Sequence, residues 1–489
     1  MRGILSAAGY VPYRRLARAQ IADFLGAGGG KGTRAVASHD EDTTTMGTEA
    51  ARLALRSAPG TGPDALWFAT ASPAYLDKTN ATAIHAALRL GGGVPAFDFG
   101  GALRSGAGAL MAALGASGTV LVVSADQRDG LPTSSDESGG GDAGAALLVG
   151  DDGPATPVVA EHLASASATD EFTDRWRPPG DQRSRVWEER FGETRYVPLG
   201  RDAWDRALKV AGTEPSDVDR VVVTGMHPRA VRALAGALGL ADGALADDLS
   251  ARVGQAGAAH PGLVLSSVLE DEAGRRAAGD VGPGRTVVLV HLADGADVTV
   301  LRTTDALAGW RPARTVTAQV AAGADLPYGR YLSWRGQLTV EPPRRPEPQR
   351  VSSSAAWRSD QWKFGFVGSR DRSSGAVHLP PARVSMTGGA FDEMEPLPLA
   401  EDLGTVVTFT VDRMAYSPSP PIVFAVVDFD AGGRFPIELT DVDADEVAMG
   451  DRVEMTFRRL FTADGIHDYF WKARPVRGTG PSESKGGDA

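Results

Sequence analysis

The chain has 489 residues, 42% of them hydrophobic and 23% charged, with a formal net charge of -12 and no cysteine. That length exceeds what one hydrophobic core usually organises, so at least two domains are expected. The acidic balance, with only short dispersed Arg-rich stretches, disfavours a nucleic-acid partner. The missing cysteines exclude disulfides, thiolate-ligated zinc, iron–sulfur clusters and cysteine catalysis together. No stretch approaches the roughly 20 apolar residues that span a bilayer, and residues 1–10 lack the apolar core of a secretory signal, so a soluble cytoplasmic protein without a membrane partner is expected.

From residue 2 to about 304, short β-branched runs alternate with Ala/Leu-rich segments of helical period, the pattern of α/β layers. Strands are predicted over 65–70, 119–124, 145–149, 221–224 and 286–291, and helices over 45–56, 80–90, 106–114 and 229–238. The series before residue 165 has a related series after residue 201, which suggests two similar halves. Between them, residues 170–199 are rich in Arg, Trp, Pro and Glu and read as an insertion over a site or interface rather than as core. The run EPPRRPEPQRV at 341–351 combines prolines with charges and reads as a linker. Five β-rich runs follow, at 402–411, 421–428, 434–440, 452–460 and 468–473, separated by Gly, Asp and Pro turns, which suits a small barrel. The Gly/Ser/Lys/Asp-rich end, 478–489, is expected to be a disordered tail.

Three motifs in the first part, ILSAAGYVPYRRL from residue 4, DTTTMGTEAARLAL at 42–55 and GGDAGAALLVG at 140–150, resemble hydroxymethylglutaryl-CoA synthase and the related ketoacyl-synthase-III enzymes of the thiolase superfamily. The likeness covers roughly the first 300 residues. The C-terminal third, through DQWKFGFVGSR at 360–370, HLPPARV at 378–384, GTVVTFTVDR at 404–413 and FWKARPV at 470–476, resembles an acyl-CoA-associated OB-fold family that usually carries a rubredoxin-like zinc ribbon. These resemblances imply an α/β thiolase-like fold (αβαβα, two similar halves) plus a C-terminal small β-barrel of OB type. They divide the chain into a first half over 1–165, an insertion and second half over 166–305, a linker over 306–351, a degenerate ribbon over 352–398, an OB-fold over 399–477 and the tail.

The family reaction uses a cysteine at the start of a buried helix, where helix-terminal N–H groups lower its pKa and an adjoining pocket stabilises an oxyanion. The matching turn is FDFGGALRSGAGAL at 97–110, and the nucleophile position falls on Leu103, which can neither form a thioester nor exchange a proton. Ser105, two residues on, reads as a capping or solvated serine rather than a substitute. The general acid/base glutamate position falls on Ala71, after the strand LWFATAS, so a second chemical group is missing. His227 in VVVTGMHPRA matches the histidine that polarises a thioester carbonyl, against the plain alternative of a structural histidine at a strand end. Gln255 in VGQAGAAHPG stands where the family has an asparagine and keeps an amide donor. Gly295 in LADGADV matches the loop whose backbone N–H completes the oxyanion pocket, although such a turn also serves as strand punctuation. His260 reads as a helix-start residue without a catalytic task.

In the ribbon region the four positions expected to be cysteine read Asp371, Ser374, Ser385 and Gly388, and serine or glycine cannot replace thiolates around zinc. Asp371 with His378 supplies two ligands at most, so no metal is expected, with the shape kept by Trp362, Phe364, Phe366 and Leu379. The first three alternate at strand period. No bound cofactor is implied; acyl-CoA is the implied substrate or ligand. The resemblance further implies a two-fold dimer, homo or hetero, through residues 97–101 and 119–124. Three functions stand beside one another: a nucleophile-free partner subunit of a thiolase or ketosynthase-type complex, an autonomous cysteine-independent acyl-CoA aldolase or Claisen-type enzyme, and a non-catalytic scaffold.

Overall fold

The strand that opens the chain, β1 (Arg2–Tyr10), lies at the centre of a nine-stranded sheet, and the apolar positions that flank it in sequence fill the layers on both sides. A computed structural model describes residues 1–388 and 391–477 and separates the chain into two units, 1–339 and 340–489. The tail expected over 478–489 lies outside the described residues.

In the first unit the elements are α1 (Thr43–Arg56), β2 (Ala65–Thr70), α2 (Ala81–Ala87), β3 (Ala96–Gly100), α3 (Ser105–Gly115), β4 (Val120–Asp126), β5 (Ala143–Asp151) and β6 (Ala160–Thr169). They continue with α4 (Glu189–Ala211), β7 (Arg220–Gly225), α5 (Pro228–Ala237), α6 (His260–Ala278), β8 (Thr286–Leu292) and β9 (Gly295–Thr303). The strand order is β7-β8-β9-β6-β1-β5-β4-β2-β3. Read outward from the middle, β1, β5, β4, β2 and β6, β9, β8, β7 repeat one pattern: two antiparallel pairings, then a parallel one. The next parallel neighbour is β3 in the first half and a single bridge from Val221 to Leu245 in the second. The two similar halves are therefore visible strand by strand.

Layering follows from which apolar residues each helix carries. Met46, Ala50 and Leu53 of α1 pack with Leu66, Phe68, Leu121 and Leu148 of the first half. Tyr196, Trp204 and Leu208 of α4 and Leu234 of α5 pack with Val221, Val288 and Val298 of the second. Between the two half-sheets, Leu110 and Leu114 of α3 and Leu263, Val264 and Leu265 of α6 touch strands of both halves, including Val122, Leu147, Val222 and Leu289. Each such fully buried aliphatic side chain contributes roughly 1.5–3 kcal/mol. The start of α1 is fixed by a reciprocal capping box in which Asp42 accepts from Thr45 N–H and Thr45 Oγ1 accepts from Asp42 N–H, both at 2.9 Å.

Four expectations need correction. The insertion 170–199 is not all outside the core: its second part begins α4, whose Tyr196 is buried, and Pro198 sits inside that helix. The linker expected over 306–351 is shorter, because Trp310, Val316, Tyr328 and Tyr331 are buried in the first unit and residues 324–325 pair with residues 14–15. The proposed dimer surface over 119–124 does not exist as a surface: β4 lies between β2 and β5 and is buried along its whole length, whereas β3 is the sheet edge, with Phe97 56% exposed. The strand period of Trp362, Phe364 and Phe366 is coincidental, since Trp362 lies in a short helix, Asp360–Lys363, and Phe366 has a positive φ of 50°.

The second unit closes five strands, β10 (Leu403–Asp412), β11 (Ile422–Phe429), β12 (Arg434–Leu439), β13 (Arg452–Ala463) and β14 (Ile466–Pro475), into a barrel of order β10-β11-β12-β14-β13. The helical turn places Trp362 over Phe366 with ring centroids 5.2 Å apart, and Phe366, fully buried, also meets Phe429, Phe470 and Trp471. Trp471 Nε1 donates to the Phe364 carbonyl at 2.7 Å.

Candidate functional site

The turn before α3 carries Leu103, which is half-buried, and the next residue, Arg104, fixes where that turn sits. Its guanidinium donates through Nε to Asp297 Oδ2 at 2.7 Å and through Nη2 to Asp297 Oδ1 at 2.8 Å, with Nη1 on the Asp294 carbonyl at 2.9 Å. Asp294 and Asp297 flank Gly295, whose φ of 133° and closeness to the Ala168 carbonyl admit no side chain. Arg104 thereby brings Leu103 and the Gly295 loop together. Ser105 Oγ donates back to the Gly100 carbonyl at 3.3 Å and does not cap the helix.

A second junction forms around Asp126 at the end of β4. Its carboxylate is fully buried and accepts from Thr70 Oγ1 at 2.9 Å, Ala71 N–H at 2.7 Å, Ser72 Oγ at 3.1 Å and Ala258 N–H at 2.7 Å. Asp126 thus ties the loop of Ala71 to the loop of Gln255. The Gln255 backbone is further held by Gly139 and Gly141, while its side-chain amide makes no hydrogen bond among the described residues. Gly106, at the first turn of α3, lies so close to the Ala258 carbonyl that a Cβ would collide with it, so α3 and the Gln255 loop are in contact.

His227 caps α5: its Nδ1 accepts from Ala230 N–H at 3.1 Å, which puts the proton of the neutral ring on Nε2. That Nε2 is buried and has no hydrogen-bond partner among the described residues, and the same holds for Asp174 Oδ1. The two atoms are neighbours, because a Cβ on Gly192 would lie 2.5 Å from Asp174 Oδ1 and 2.7 Å from His227 Nε2. Burial pushes the Asp174 carboxyl upward, against the pull of His227 and Arg175. Asp174 belongs to the 170–199 segment, which continues over the site: Arg175 binds Asp136 at 2.5 Å and Arg177 donates to the Ala71 carbonyl at 2.5 Å. One short stretch therefore reaches from His227 to Ala71.

Two further imidazoles are buried here: His291 beside Leu103, and His260 within electrostatic reach of His291. His291, at the end of β8, meets Thr224 Oγ1 through Nδ1 at 3.0 Å, and Thr224 Oγ1 also lies 3.2 Å from the Val290 carbonyl. His260 accepts from Ala256 N–H at Nδ1 at 3.3 Å, leaving Nε2 as a donor, and neither Nε2 has a partner. Burial pushes both rings well below the ordinary histidine range, so both are neutral at neutral pH. His260 therefore keeps unused hydrogen-bonding capacity as well as its place at the start of α6. Arg104, Asp126, Asp174 and His291 were not singled out from the sequence, where each is one charged or polar residue next to a β-rich run.

In the second unit Asp371, Ser374 and Ser385, three of the four positions expected to be cysteine, lie around one carboxylate. Asp371 accepts from Ser374 Oγ at 2.5 Å and from Ser373 N–H at 2.9 Å, Thr387 Oγ1 donates to Ser374 Oγ at 3.0 Å, and Ser385 and Thr387 share a hydrogen bond of 2.8 Å. Bonds from Ser374, Ser385 and Ser373 hold the Asp371 carboxyl well below the usual range. His378 Nε2 accepts from Met386 N–H at 2.9 Å. Among the described residues no group of three or more His, Asp or Glu is placed to hold a metal ion.

The first unit has the layering of the thiolase fold, and the second is an OB-type barrel. Residues 399–458 match the family model described as the ChsH2 C-terminal OB-fold domain. The first unit has hydroxymethylglutaryl-CoA synthase-like homologues: the synthase of Pyrococcus furiosus is 32% identical over 229 residues, 45% of this chain and 65% of that protein. The synthase of Pyrobaculum aerophilum is 32% identical over 235 residues, 45% of this chain and 66% of that protein. The chain thus covers a little less than two thirds of the relatives it matches. Among solved structures, a hydroxymethylglutaryl-CoA synthase complexed with CoA superposes with a TM-score of 0.55 at 18% identity, over 68% of this chain and 89% of the other. The 3-oxoacyl-[acyl-carrier-protein] synthase III of Aquifex aeolicus superposes with a TM-score of 0.51 at 21% identity, over 62% of this chain and all of the other. No helix among the described residues is long and apolar enough to cross a membrane.

Proposed function

We propose that this chain binds an acyl-CoA in its thiolase-like unit without becoming acylated, and serves as the nucleophile-free subunit of a thiolase- or ketosynthase-type complex acting on acyl-CoA carbon–carbon bonds. The observation that carries this reading is Leu103 at the start of α3: the family's turn is kept, locked by Arg104 and Asp297, with an aliphatic side chain where a thiolate would attack. Ala71 removes the acid/base group as well, and the nearby Asp126 is already committed to four hydrogen bonds. The exposed edge strand β3, with Phe97, is the surface this reading assigns to the two-fold contact with a partner or a second copy. Within the second unit, residues 352–398 are read as a degenerate ribbon and 399–477 as an OB-fold. Tagged chain purified from its native host should carry a thiolase-like protein at near-equal amounts; recovery of the chain alone would contradict the proposal.

A second reading, an autonomous cysteine-independent aldolase or Claisen-type enzyme, is favoured by one observation: the unpartnered Asp174 Oδ1 beside the unpartnered His227 Nε2. A carboxylate raised by burial is a base, and an Nε2–H is a donor to a thioester oxygen, so the pair offers the two groups that enolate formation needs. His227, Gln255 and the Gly295 backbone are then the oxyanion-stabilising groups. Turnover of β-hydroxyacyl-CoA or β-ketoacyl-CoA by the purified chain, lost in both His227→Ala and Asp174→Asn, would establish this reading. A pure scaffold would show neither CoA binding nor turnover.

A further inference from the structure

The later turns of α6 border a cavity of about 530 Å³, shared with the loop 246–252 and with residues 315 and 317, and within the size range of small-molecule sites. Buried Ala246, Leu249 and Val268 form an apolar wall. Gly274 keeps the helix face open, because a Cβ there would meet nothing within 4 Å. One turn before it, Glu270 lines the same cavity at 8% exposure. Its Oε2 accepts from Val316 N–H at 2.7 Å, and its Oε1, also buried, has no hydrogen-bond partner among the described residues.

No cation among the described residues answers Glu270. Those that line the cavity are Arg220, Arg252 and Arg275, and each is matched to another carboxylate: Asp271 at 3.4 Å, Asp247 at 2.6 Å and Glu272 at 3.0 Å. Asp280 adds a further negative charge to the lining. Burial pushes the Glu270 carboxyl up to about 8, with the Val316 N–H as the opposing influence. A desolvated carboxyl in such surroundings is completed by a cation. With Oε2 already occupied, one free oxygen suits an ammonium, which is a point charge, rather than the two-pronged fork of a guanidinium. The apolar wall suits a hydrocarbon chain.

We propose that this cavity is a second ligand site, for an aliphatic amine, with the ammonium on Glu270 Oε1 and the carbon chain along Ala246, Leu249 and Val268. The inference goes beyond the acyl-CoA reading and does not rest on it. Calorimetric titration of the full chain with hexylamine, and with hexan-1-ol, which has a hydroxyl in place of the ammonium, tests it. Hexylamine should bind saturably, about tenfold or more tightly than the alcohol. Because the amine needs the ionised carboxylate, its affinity should be about fivefold or more higher at pH 8.5 than at pH 6.5, where a proton must first leave Glu270. Glu270→Gln, which keeps an acceptor for Val316 N–H, should weaken hexylamine by about tenfold and remove that pH dependence. Gly274→Leu, which fills the cavity without altering a charge and is the variant to use if Glu270→Gln fails to fold, should abolish binding. No saturable binding of hexylamine at pH 8.5, equal affinity for the alcohol, or binding that survives either substitution would overturn the site.

Discussion

Arg104 grips Asp297 with two parallel hydrogen bonds, of 2.7 and 2.8 Å, between the residue that follows Leu103 and the hairpin that carries Gly295. The pair is mostly buried, with side-chain exposures of 21% and 6%, and Ser167 Oγ also donates to Asp297 at 2.6 Å. Arg104→Ala leaves that carboxylate short of its cation and is expected to lower stability by about 1–3 kcal/mol, less than a fully buried pair because Arg104 is partly solvated. Urea unfolding of the two proteins measures it. Acyl-CoA affinity should fall as well, since the turn at Leu103 loses its anchor.

Leu103→Cys returns a thiol to the start of α3, where the helix-terminal field favours a thiolate. On the proposed reading no acid/base group stands at Ala71, and Asp126 is saturated by its donors. Incubation with acetyl-CoA is therefore expected to give at most an acetylated protein by intact mass, with no hydroxymethylglutaryl-CoA formed from acetoacetyl-CoA. Product from this single variant would show that another acid is in place.

Glu270 on α6 is buried, accepts from Val316 N–H at 2.7 Å through Oε2, and leaves Oε1 without a partner. Burial pushes its carboxyl up to about 8. With the folded pKa above the unfolded one, the folded state holds a proton that the unfolded state releases, so the contribution to stability is present in full below about pH 4.3 and is lost as pH rises toward 8. Glu270→Gln keeps an acceptor for Val316 and cannot ionise. It should stabilise the protein by roughly 1–3 kcal/mol at pH 8.5 and leave it nearly unchanged at pH 5, read from unfolding curves at both values.

Asp371 organises the hydroxyl cluster of the second unit and has the opposite sign. Ser374, Ser385 and Ser373 hold its carboxyl low, so its stabilising effect is present above about pH 3.9 and lost as the pH falls below it. Asp371→Ala should lower the melting temperature at pH 7, and a chelator should leave that of the unaltered protein in place. Stoichiometric zinc by mass spectrometry, removed by chelator with loss of stability, would contradict this account of the cluster.

Periodicity reports burial well where one face of an element is apolar, and less well where charge and core share a segment. The strands over 65–70 and 286–291 and all five barrel strands were legible because their runs are β-rich and end in turn residues. Helix α4 was not, since Pro198 and four arginine or glutamate residues in its first half hide the period of Tyr196, Ala203 and Trp204. Residues 306–339 looked like linker for a similar reason: buried Trp310 and Tyr331 are spaced among arginines. At the candidate site, the readings of Leu103 and Ala71 rest on motif alignment alone. Asp174 was not legible, because its significance lies in an oxygen left without a partner, which only a fold can display.

The central claim, binding without acylation, is tested most directly by one paired measurement on the purified full chain: calorimetric titration with a panel of acyl-CoAs, followed by the intact mass of the same samples. The account expects saturable binding of at least one acyl-CoA and a protein mass unchanged by it. An added acyl mass on the chain, or no binding across the panel, would contradict it.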